Sequence, residues 1–233
     1  MKKYNWVLFI LFLGQGGLMS SVSLHSAPVS VSLAHEEGVS GAAAPLQETP
    51  LTEVEIRAFK EAVRKAAAQT ESLTADFSQW RHSSYLAKPT ESRGKLSFQK
   101  PGYVLWKYTA PSAYSVLFRE NKMYINDAGK KKDVNAGKRL QKLNKLIAGS
   151  VTGDMFDAPE FAFSFVKAGG KIGVRLLTKE ASLKKYIREI ELMFENNAVS
   201  EVKMTEPSED YTRIVFKNKV LNSRIDPSIF TFN

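Results

Sequence analysis

Residues 93–109 read RGKLSFQKPGYVLWKYT, and apolar side chains fall at every second position on either side of Lys100-Pro101-Gly102. The alternating apolar residues are Leu96, Phe98, Val104, Trp106 and Tyr108. Alternation with a period of two residues is typical of a strand that buries one face. The stretch therefore predicts two consecutive β-strands that share an apolar side.

The same pattern continues in both directions along the chain. Short runs rich in β-branched and aromatic residues are separated by turn signals such as Ala168-Gly169-Gly170 and Glu195-Asn196-Asn197, which supply positive φ angles. Sequential strands joined in this way are expected to be hydrogen-bonded neighbours. The predicted strands are Leu73 to His82, Arg93 to Gln99, Tyr103 to Thr109, Ser115 to Glu120, Lys122 to Asn126, Phe161 to Lys167, Lys171 to Thr178, Ile187 to Glu195, Val199 to Thr205 and Thr212 to Lys217.

A helix is predicted before the first of these strands. Thr52-Glu53-Val54-Glu55 is a capping box, in which Thr52 is the N-cap and Glu55 reaches back to it. Apolar residues then recur at helical spacing: Ile56, Phe59, Val63, Ala66 and Ala67. The sequence predicts an amphipathic helix from about Glu53 to Gln69.

A second amphipathic helix is predicted over residues 137–149, which read GKRLQKLNKLIAG. Its apolar stripe consists of Leu140, Leu143, Leu146 and Ile147, and its lysines lie largely elsewhere. Gly149 is a natural stop for this helix. Composition ranks a core-covering helix first, a membrane-surface helix second and a lid third.

These elements predict a mainly β protein with helices, of the α+β class. About ten strands must bury one face, and a strongly twisted antiparallel sheet of that size curls towards a barrel. The apolar stripes of the two predicted helices must also be buried. We therefore expect an incomplete antiparallel β-barrel, or half-barrel, with the helices packed on its open concave side. Composition leaves open whether the interior is a solid core or a pocket.

The N-terminal segment predicts export. Met1-Lys2-Lys3 precedes the apolar run Trp6 to Leu13, which is typical of a secretory signal and too short to span a bilayer comfortably. We expect a signal peptide over 1–27, with cleavage between 20 and 34, a disordered linker over 28–50 and one domain over 51–233. The chain has no cysteine, so neither a disulfide nor a cysteine lipid anchor is available. A bacterial periplasm fits this combination best.

The net charge is +9, and because residues 1–50 hold two lysines and three glutamates, the remainder carries +10. Such an excess favours anionic partners such as phospholipid headgroups, lipopolysaccharide or nucleic acid, although a solvated basic surface with no partner accounts for it equally well. A periplasmic address makes nucleic acid the poorest of these partners.

The sequence offers little for catalysis. His82 is the one histidine in the predicted domain, which with the absence of cysteine removes the usual zinc sites and the serine or cysteine nucleophile with a histidine base. Gly149-Ser150-Val151-Thr152-Gly153 has its serine in the wrong position for a nucleophile elbow. Neither a phosphate-binding loop nor a dinucleotide fingerprint is present. We expect no enzyme, no metal and no cofactor.

Taken in order, several weak motifs resemble the family of the outer-membrane lipoprotein carrier protein, LolA. The resemblance covers about Thr52 to Asn233. It consists of the N-terminal helix, the Phe-x-Gln strand Leu73 to Gln79, the Gly-x-Leu and basic-Pro segment Gly94 to Pro101, the Trp-x-Tyr strand Tyr103 to Tyr108 with Pro111, the polar hairpin Glu120 to Ile125, Asp210-Tyr211-Thr212, and the closing segment from Asn222 through Ile225 to Phe232.

The resemblance implies an open barrel with helices as a lid over an apolar cavity. It further implies a carrier that takes acylated lipoproteins from an inner-membrane transporter to an outer-membrane receptor; we expect it to act as a monomer. Many family members have an arginine before the proline that hydrogen-bonds to the lid-helix backbone, whereas this chain has Lys100, a flexible point charge in place of a fixed fork. Lys100 and Pro101 are thus the expected lid latch.

Cavity residues follow from the strand pattern, although a one-residue error in strand phase would reverse them. The expected lipid-binding residues are Phe77, Leu96, Phe98, Val104, Trp106, Tyr108, Phe118, Ile125, Phe163 and Phe165, with Leu140, Leu143, Leu146 and Ile147 on the lid. Two other functions stay open. The fold could serve a sensor that binds lipid or lipoprotein and regulates a membrane partner, or an adaptor with a solid interior whose basic face binds an anionic surface.

Overall fold

The computed structural model describes residues 48–120, 122–127, 129–134 and 154–231. The predicted signal peptide and nearly all of the predicted linker lie outside these ranges, as does the predicted second helix with its apolar residues Leu140, Leu143, Leu146 and Ile147. Within the described ranges, no helix has both the length and the apolar character needed to cross a membrane.

Strands make up most of the described chain. They are β1 (Thr49–Pro50), β2 (Ser72–His82), β3 (Thr90–Gln99), β4 (Tyr103–Ala110), β5 (Tyr114–Arg119), β6 (Lys122–Asp127), β7 (Lys130–Val134), β8 (Phe161–Ala168), β9 (Lys171–Thr178), β10 (Glu189–Glu195), β11 (Ala198–Thr205) and β12 (Tyr211–Leu221). Among the described residues they form one antiparallel sheet in the order β1-β8-β9-β10-β11-β12-β2-β3-β4-β5-β6-β7. β1 and β7 are not paired with each other, so the sheet is open, and the predicted half-barrel is confirmed.

Residues 93–109 pair as their alternation predicts. Leu96 lies opposite Trp106, and Phe98 lies opposite Val104, across the β3–β4 hairpin. These four side chains are nearly fully buried. The two strands therefore turn their alternating apolar residues to the concave face of the sheet.

The structure differs from the predicted strands at the sheet edges and at one crossover. β1 pairs with β8 and lies in the predicted linker, while β7 is the charged run KKKDV, which has no apolar alternation to reveal it. Charged residues are typical of sheet edges, where they oppose pairing with other chains. β12 pairs on one side with β11, its neighbour in sequence, and on the other side with the distant strand β2. It extends four residues beyond its predicted end.

Helix α1 (Glu53–Ala68) begins with the predicted capping box. Backbone N of Thr52 donates to Glu55 Oε2 at 2.9 Å, and Glu55 N donates to Thr52 Oγ1 at 3.4 Å. Lys167 on β8 forms an ion pair with Glu55, which ties the start of the helix to the sheet. The other helical segments in the described ranges are short: α2 (Ala181–Lys184) and the 3₁₀ turns Asp154–Asp157 and Pro227–Phe230.

Two apolar clusters occupy the concave face. The first, which we call the helix cluster, joins α1 to β8, β9 and β10 and contains Phe59, Val63, Phe156, Phe161, Phe165, Leu176, Ile190, Leu192 and Phe194. The second, the wall cluster, spans β2 to β6 and contains Phe77, Leu96, Phe98, Val104, Trp106, Tyr108, Val116, Phe118, Met123 and Ile125. A small third cluster of Leu105, Leu117 and Phe230 lies on the convex side.

Candidate functional site

An apolar cavity of about 330 Å³ lies between α1 and the concave face of the sheet, where the helix cluster meets the wall cluster. Strands β2 to β4 form one side and β10 to β12 the other. Its apolar lining residues are Val63, Ala66, Ala67, Leu73, Ala75, Leu96, Phe98, Val104, Trp106, Ile190, Leu192, Ala198, Val199, Val202, Met204, Ile214, Phe216 and Leu221. The size and lining are those of a site for a small apolar ligand.

The cavity exists because α1 carries small residues above it. Phe59, in the first half of the helix, packs edge-on against Phe156, Phe165 and Phe194, with ring centroids 5.1–6.1 Å apart. Ala66 lies two turns further along the same face and presents a single methyl group, as does Ala67. The helix therefore fills the space under its first half and leaves it open under its second.

Four of the ten residues expected in the cavity line it: Leu96, Phe98, Val104 and Trp106. Four others pack within the wall cluster, away from the open space: Phe77, Tyr108, Phe118 and Ile125. Phe165 is buried in the helix cluster and Phe163 packs against it, next to Phe156. All ten are buried or half-buried, but six of them are core residues in this structure.

The position of Phe77 is set by a glycine. A Cβ atom at Gly94 would lie 2.2 Å from the Lys107 carbonyl oxygen and 2.6 Å from Phe77 Cζ, both far inside van der Waals contact. Gly94 thus lets the Phe77 ring lie flat over β3, where it meets Trp106 and Tyr108 with ring centroids 5.1 and 5.0 Å away. This aromatic group closes the wall beside the cavity.

The predicted set contains none of the lining residues from β10 to β12. Ile190 and Leu192 on β10, Val202 and Met204 on β11, and Ile214 and Phe216 on β12 all face the cavity. Each pair is spaced by two residues, so the alternation was visible in the sequence. What it did not reveal is that β12 pairs with β2, which brings these strands next to the wall cluster.

Lys100, the expected latch residue, reaches the end of α1. Its Nζ donates to the Ala68 carbonyl oxygen at 2.9 Å and to Glu71 Oε1 at 2.7 Å. A cation beside the last carbonyls of a helix satisfies groups that have no partner inside the helix and opposes the negative end of its dipole. Asn222 supports the same junction, since its side chain accepts from Glu71 N and donates to the Gln69 carbonyl oxygen.

One end of the cavity is polar. Lining residues there are Thr70, Glu195, Asn196, Asn197 and Lys219. Lys219 Nζ donates to the Val199 carbonyl oxygen at 3.3 Å, and burial lowers the pKa of this ammonium. Glu195 lies 3.8 Å from Lys171. We call this group the polar mouth.

Two tyrosines of the wall cluster, Tyr108 and Tyr114, pack against each other. Tyr108 donates to Gln79 Oε1 at 3.0 Å and stacks on Tyr114 at 4.2 Å between ring centroids. Burial raises the pKa of Tyr108 to about 12 and raises the pKa of Tyr114 as well. Across the described ranges, no group of three or more His, Asp and Glu side chains is placed to hold a metal ion. The chemistry that this site supports is sequestration of an apolar ligand.

Sequence comparison finds one family. The model of the family described as outer membrane lipoprotein carrier protein LolA matches residues 68–233. The outer-membrane lipoprotein carrier protein of Pseudomonas aeruginosa is 26% identical over 166 residues, which cover 71% of this chain and 78% of that relative. The protein of the same name from Chromobacterium violaceum is 26% identical over 202 residues, covering 82% and 87%.

Solved structures with a similar fold are more distant. A LolA superfamily protein from Nitrosomonas europaea has a TM-score of 0.42 and 9% identity, with 76% of this chain and 97% of that chain covered. The MucA/MucB complex of Pseudomonas aeruginosa has a TM-score of 0.46 and 9% identity, with 77% and 61% covered. Likeness at this distance carries no information on what the cavity binds.

Proposed function

Since the chain belongs to the LolA family of outer membrane lipoprotein carrier proteins, we propose that it is a periplasmic carrier that holds the acyl chains of lipoproteins or lipids in the cavity under α1. The observation that carries this proposal is the apolar cavity itself, which is open beneath Ala66 and Ala67 and walled by Leu96, Phe98 and Trp106. No step of the proposed carrier function requires catalysis.

The physical need for such a carrier is large. Exposing an acyl chain of about fifteen methylenes to water costs on the order of 12 kcal/mol, at about 0.8 kcal/mol per methylene. A carrier must offset most of that cost and still release its load. A preformed apolar cavity under the second half of α1 meets both needs, because that half places no large side chain in the space and its end is held by the exposed contacts of Lys100.

The junction at the end of α1 fits a latch in this scheme. Lys100 bonds the helix end through one neutral acceptor and one largely exposed carboxylate, Glu71. Exposed pairs of this kind are worth about 1 kcal/mol or less, so the contact can break and re-form. In the proposed cycle the carrier acts as a monomer, receives cargo from an inner-membrane transporter and passes it to an outer-membrane acceptor.

The adaptor and the sensor differ from the carrier in different ways. An adaptor that uses only its basic face needs no internal space, whereas the structure has a cavity of about 330 Å³. A sensor of lipid or lipoprotein would use the same cavity but would not pass its ligand on. Cargo binding followed by transfer therefore separates the carrier from both.

The test is to express the full chain in a bacterial periplasm and examine the purified protein by native mass spectrometry, followed by organic extraction. The carrier proposal predicts co-purified acylated protein or lipid. It also predicts that the ligand-free protein extracts acylated lipoproteins from inner-membrane vesicles and delivers them to outer-membrane vesicles. Binding without delivery would favour the sensor, and no bound lipid with no extraction would favour the adaptor.

Neighbouring residues on β2 give a matched pair for this assay. Leu73 and Thr74 are both half-buried, but only Leu73 lines the cavity. Leu73→Gln places an amide in the apolar space and should reduce extraction several-fold, because burying an amide without a partner is costly. Thr74→Gln should extract as well as the original chain. Equal activity of the two variants would argue against this cavity as the cargo site.

A further inference from the structure

A β-bulge in β12 turns one lysine towards the cavity. Thr212, Ile214 and Phe216 line the cavity at every second position, and by that rhythm Asn218 would follow. The pairing with β2 shifts register between Lys217 and Val220, and Asn218 adopts a positive φ of 52°. As a result Lys219 and Leu221 line the cavity instead.

The bulge is anchored on the opposite face of the sheet. Asn218 Nδ2 donates to Asp76 Oδ2 at 2.8 Å, and Asp76 lies between the concave-facing residues Ala75 and Phe77. Lys217, opposite Asp76, is exposed. β-Bulges beside binding sites commonly redirect a side chain through their extra residue. Here its effect is to place an ammonium group at an apolar wall.

Lys219 has an incomplete set of partners for a half-buried cation. Its one hydrogen bond within the described ranges goes to the Val199 carbonyl oxygen, a neutral acceptor, at 3.3 Å. Glu195 contributes a favourable charge, but its carboxylate lies 3.8 Å from Lys171, which adds a second positive charge to the polar mouth. An ammonium has three donors, so Lys219 retains capacity for an anionic oxygen.

We propose that Lys219 binds the anionic head group, a carboxylate or a phosphate, of a ligand whose acyl chain occupies the cavity. The proposal rests on the proposed function, since it requires that the cavity hold an acyl chain. The head group then lies at the polar mouth near the Asn196-Asn197 turn. The chain runs along β12 towards Thr212, past Phe216 and Ile214.

Binding of the head group at Lys219 should be stronger and better oriented than nonspecific attraction to an exposed lysine. A charge-assisted hydrogen bond to a partly desolvated ammonium is stronger than one in water, and the apolar wall fixes where the chain, and hence the head, must lie. The cavity should therefore prefer single-chain amphiphiles with an anionic head over those with a neutral head. An apolar cavity without this lysine would instead favour a neutral head group, because burying an anion without a partner is costly.

The test is displacement of a fluorescent acyl probe with a neutral head by tetradecanoate, tetradecyl phosphate and tetradecanol, which share one chain length. We expect the two anions to bind about tenfold more tightly than the alcohol, from the usual strength of hydrogen bonds to charged groups. Lys219→Met should reduce both anions to the level of the alcohol without changing the alcohol. Lys217→Met, on the outer face of the same bulge, should keep the preference.

Each failure points to a different error. Equal affinity of the anions and the alcohol for the original chain, or an unchanged anion preference in Lys219→Met, would overturn the head-group site while leaving the acyl cavity in place. Inorganic phosphate that binds the original chain as tightly as tetradecyl phosphate does would also overturn it, because the acyl chain would then contribute nothing to binding. Failure of the probe and all three amphiphiles to bind would instead contradict the proposed function. Matching circular dichroism and thermal midpoints establish that both variants are folded.

Discussion

The two halves of α1 cover the same sheet with opposite results. Under the first half, Phe59 meets three phenylalanines and the space is full. Under the second half, Ala66 and Ala67 face Leu96, Phe98 and Trp106 across an open cavity. The difference lies in side-chain volume on one helical stripe, since the backbone is continuous from Glu53 to Ala68.

A single helix can therefore form part of the core with one half and cover a cavity with the other. The filled half supplies the burial that stabilises the domain, and the open half supplies the site. The two ends are also tied differently: the first by the capping box and Lys167, the second by Lys100 and Asn222. Changes in the filled half should therefore affect stability, and changes in the open half should affect binding.

The largest effect is expected from Phe59→Ala, which would make the filled half resemble the open half. Removing a buried ring that touches three others should lower the free energy of unfolding by about 3–5 kcal/mol. Urea denaturation followed by circular dichroism measures it, with Phe59→Leu as a milder control. A loss below about 1 kcal/mol would mean that the filled half is not tightly packed.

Gly94→Ala tests whether the aromatic wall beside the cavity depends on a close backbone approach. The new Cβ would lie 2.2 Å from the Lys107 carbonyl oxygen, and strand backbone cannot move aside cheaply. We expect a loss of about 1–3 kcal/mol of stability from overpacking. Lys95→Ala, at the exposed neighbouring position, should be nearly neutral. Equal effects of the two substitutions would contradict this role of Gly94.

Lys100→Met removes the tie at the open end of α1 while keeping the apolar stem. The loss of one hydrogen bond to a helix carbonyl and one exposed ion pair should cost about 1 kcal/mol. Hydrogen exchange should become faster in the last turn of α1 and stay unchanged in its first turn. Lys100→Arg should restore protection. Uniform acceleration along the helix would argue against a local latch.

The tie at the filled end has a pH signature. Hydrogen bonds from Lys167 and then Thr52 lower the pKa of Glu55 from its ordinary value of 4.5 to about 2. Because the folded pKa lies below the unfolded one, the stabilising contribution is fully present above pH 4.5 and is lost as the pH falls towards 2. In the Glu55→Gln variant, the free energy of unfolding should depend slightly less on pH within that window, as measured by urea denaturation at several pH values. An unchanged slope would mean that the carboxylate is not held as described.

Local patterns in the sequence sufficed for most of the fold. The capping box at Thr52 and the alternation through Leu96, Phe98, Val104 and Trp106 each specify a short-range feature, and each is present in the structure. The charged edge strand β7 could not be predicted in this way, because an edge strand needs no apolar face.

The cavity was harder to predict because it depends on volumes that meet across the fold. Phe165 and Trp106 both lie in strands with clear apolar alternation. In the structure, however, Phe165 packs against Phe59, whereas Trp106 borders the cavity under Ala67. Which of them faces a void is decided by a helix residue more than 30 positions away in sequence. The inward turn of Lys219 likewise depends on a bulge that no alternation reveals.

The cavity can be tested as the binding site by filling the space under the second half of α1. Ala67→Phe places a ring in the cavity, and Ala68→Phe places the same ring on the exposed face one residue later. Titration with a fluorescent acyl probe should show at least about tenfold weaker binding for Ala67→Phe, since a buried ring displaces the volume that several methylenes would occupy. Ala68→Phe should bind like the original chain, and both variants should melt close to it. Unchanged affinity in a folded Ala67→Phe variant would contradict the claim that the space under the second half of α1 is the binding site.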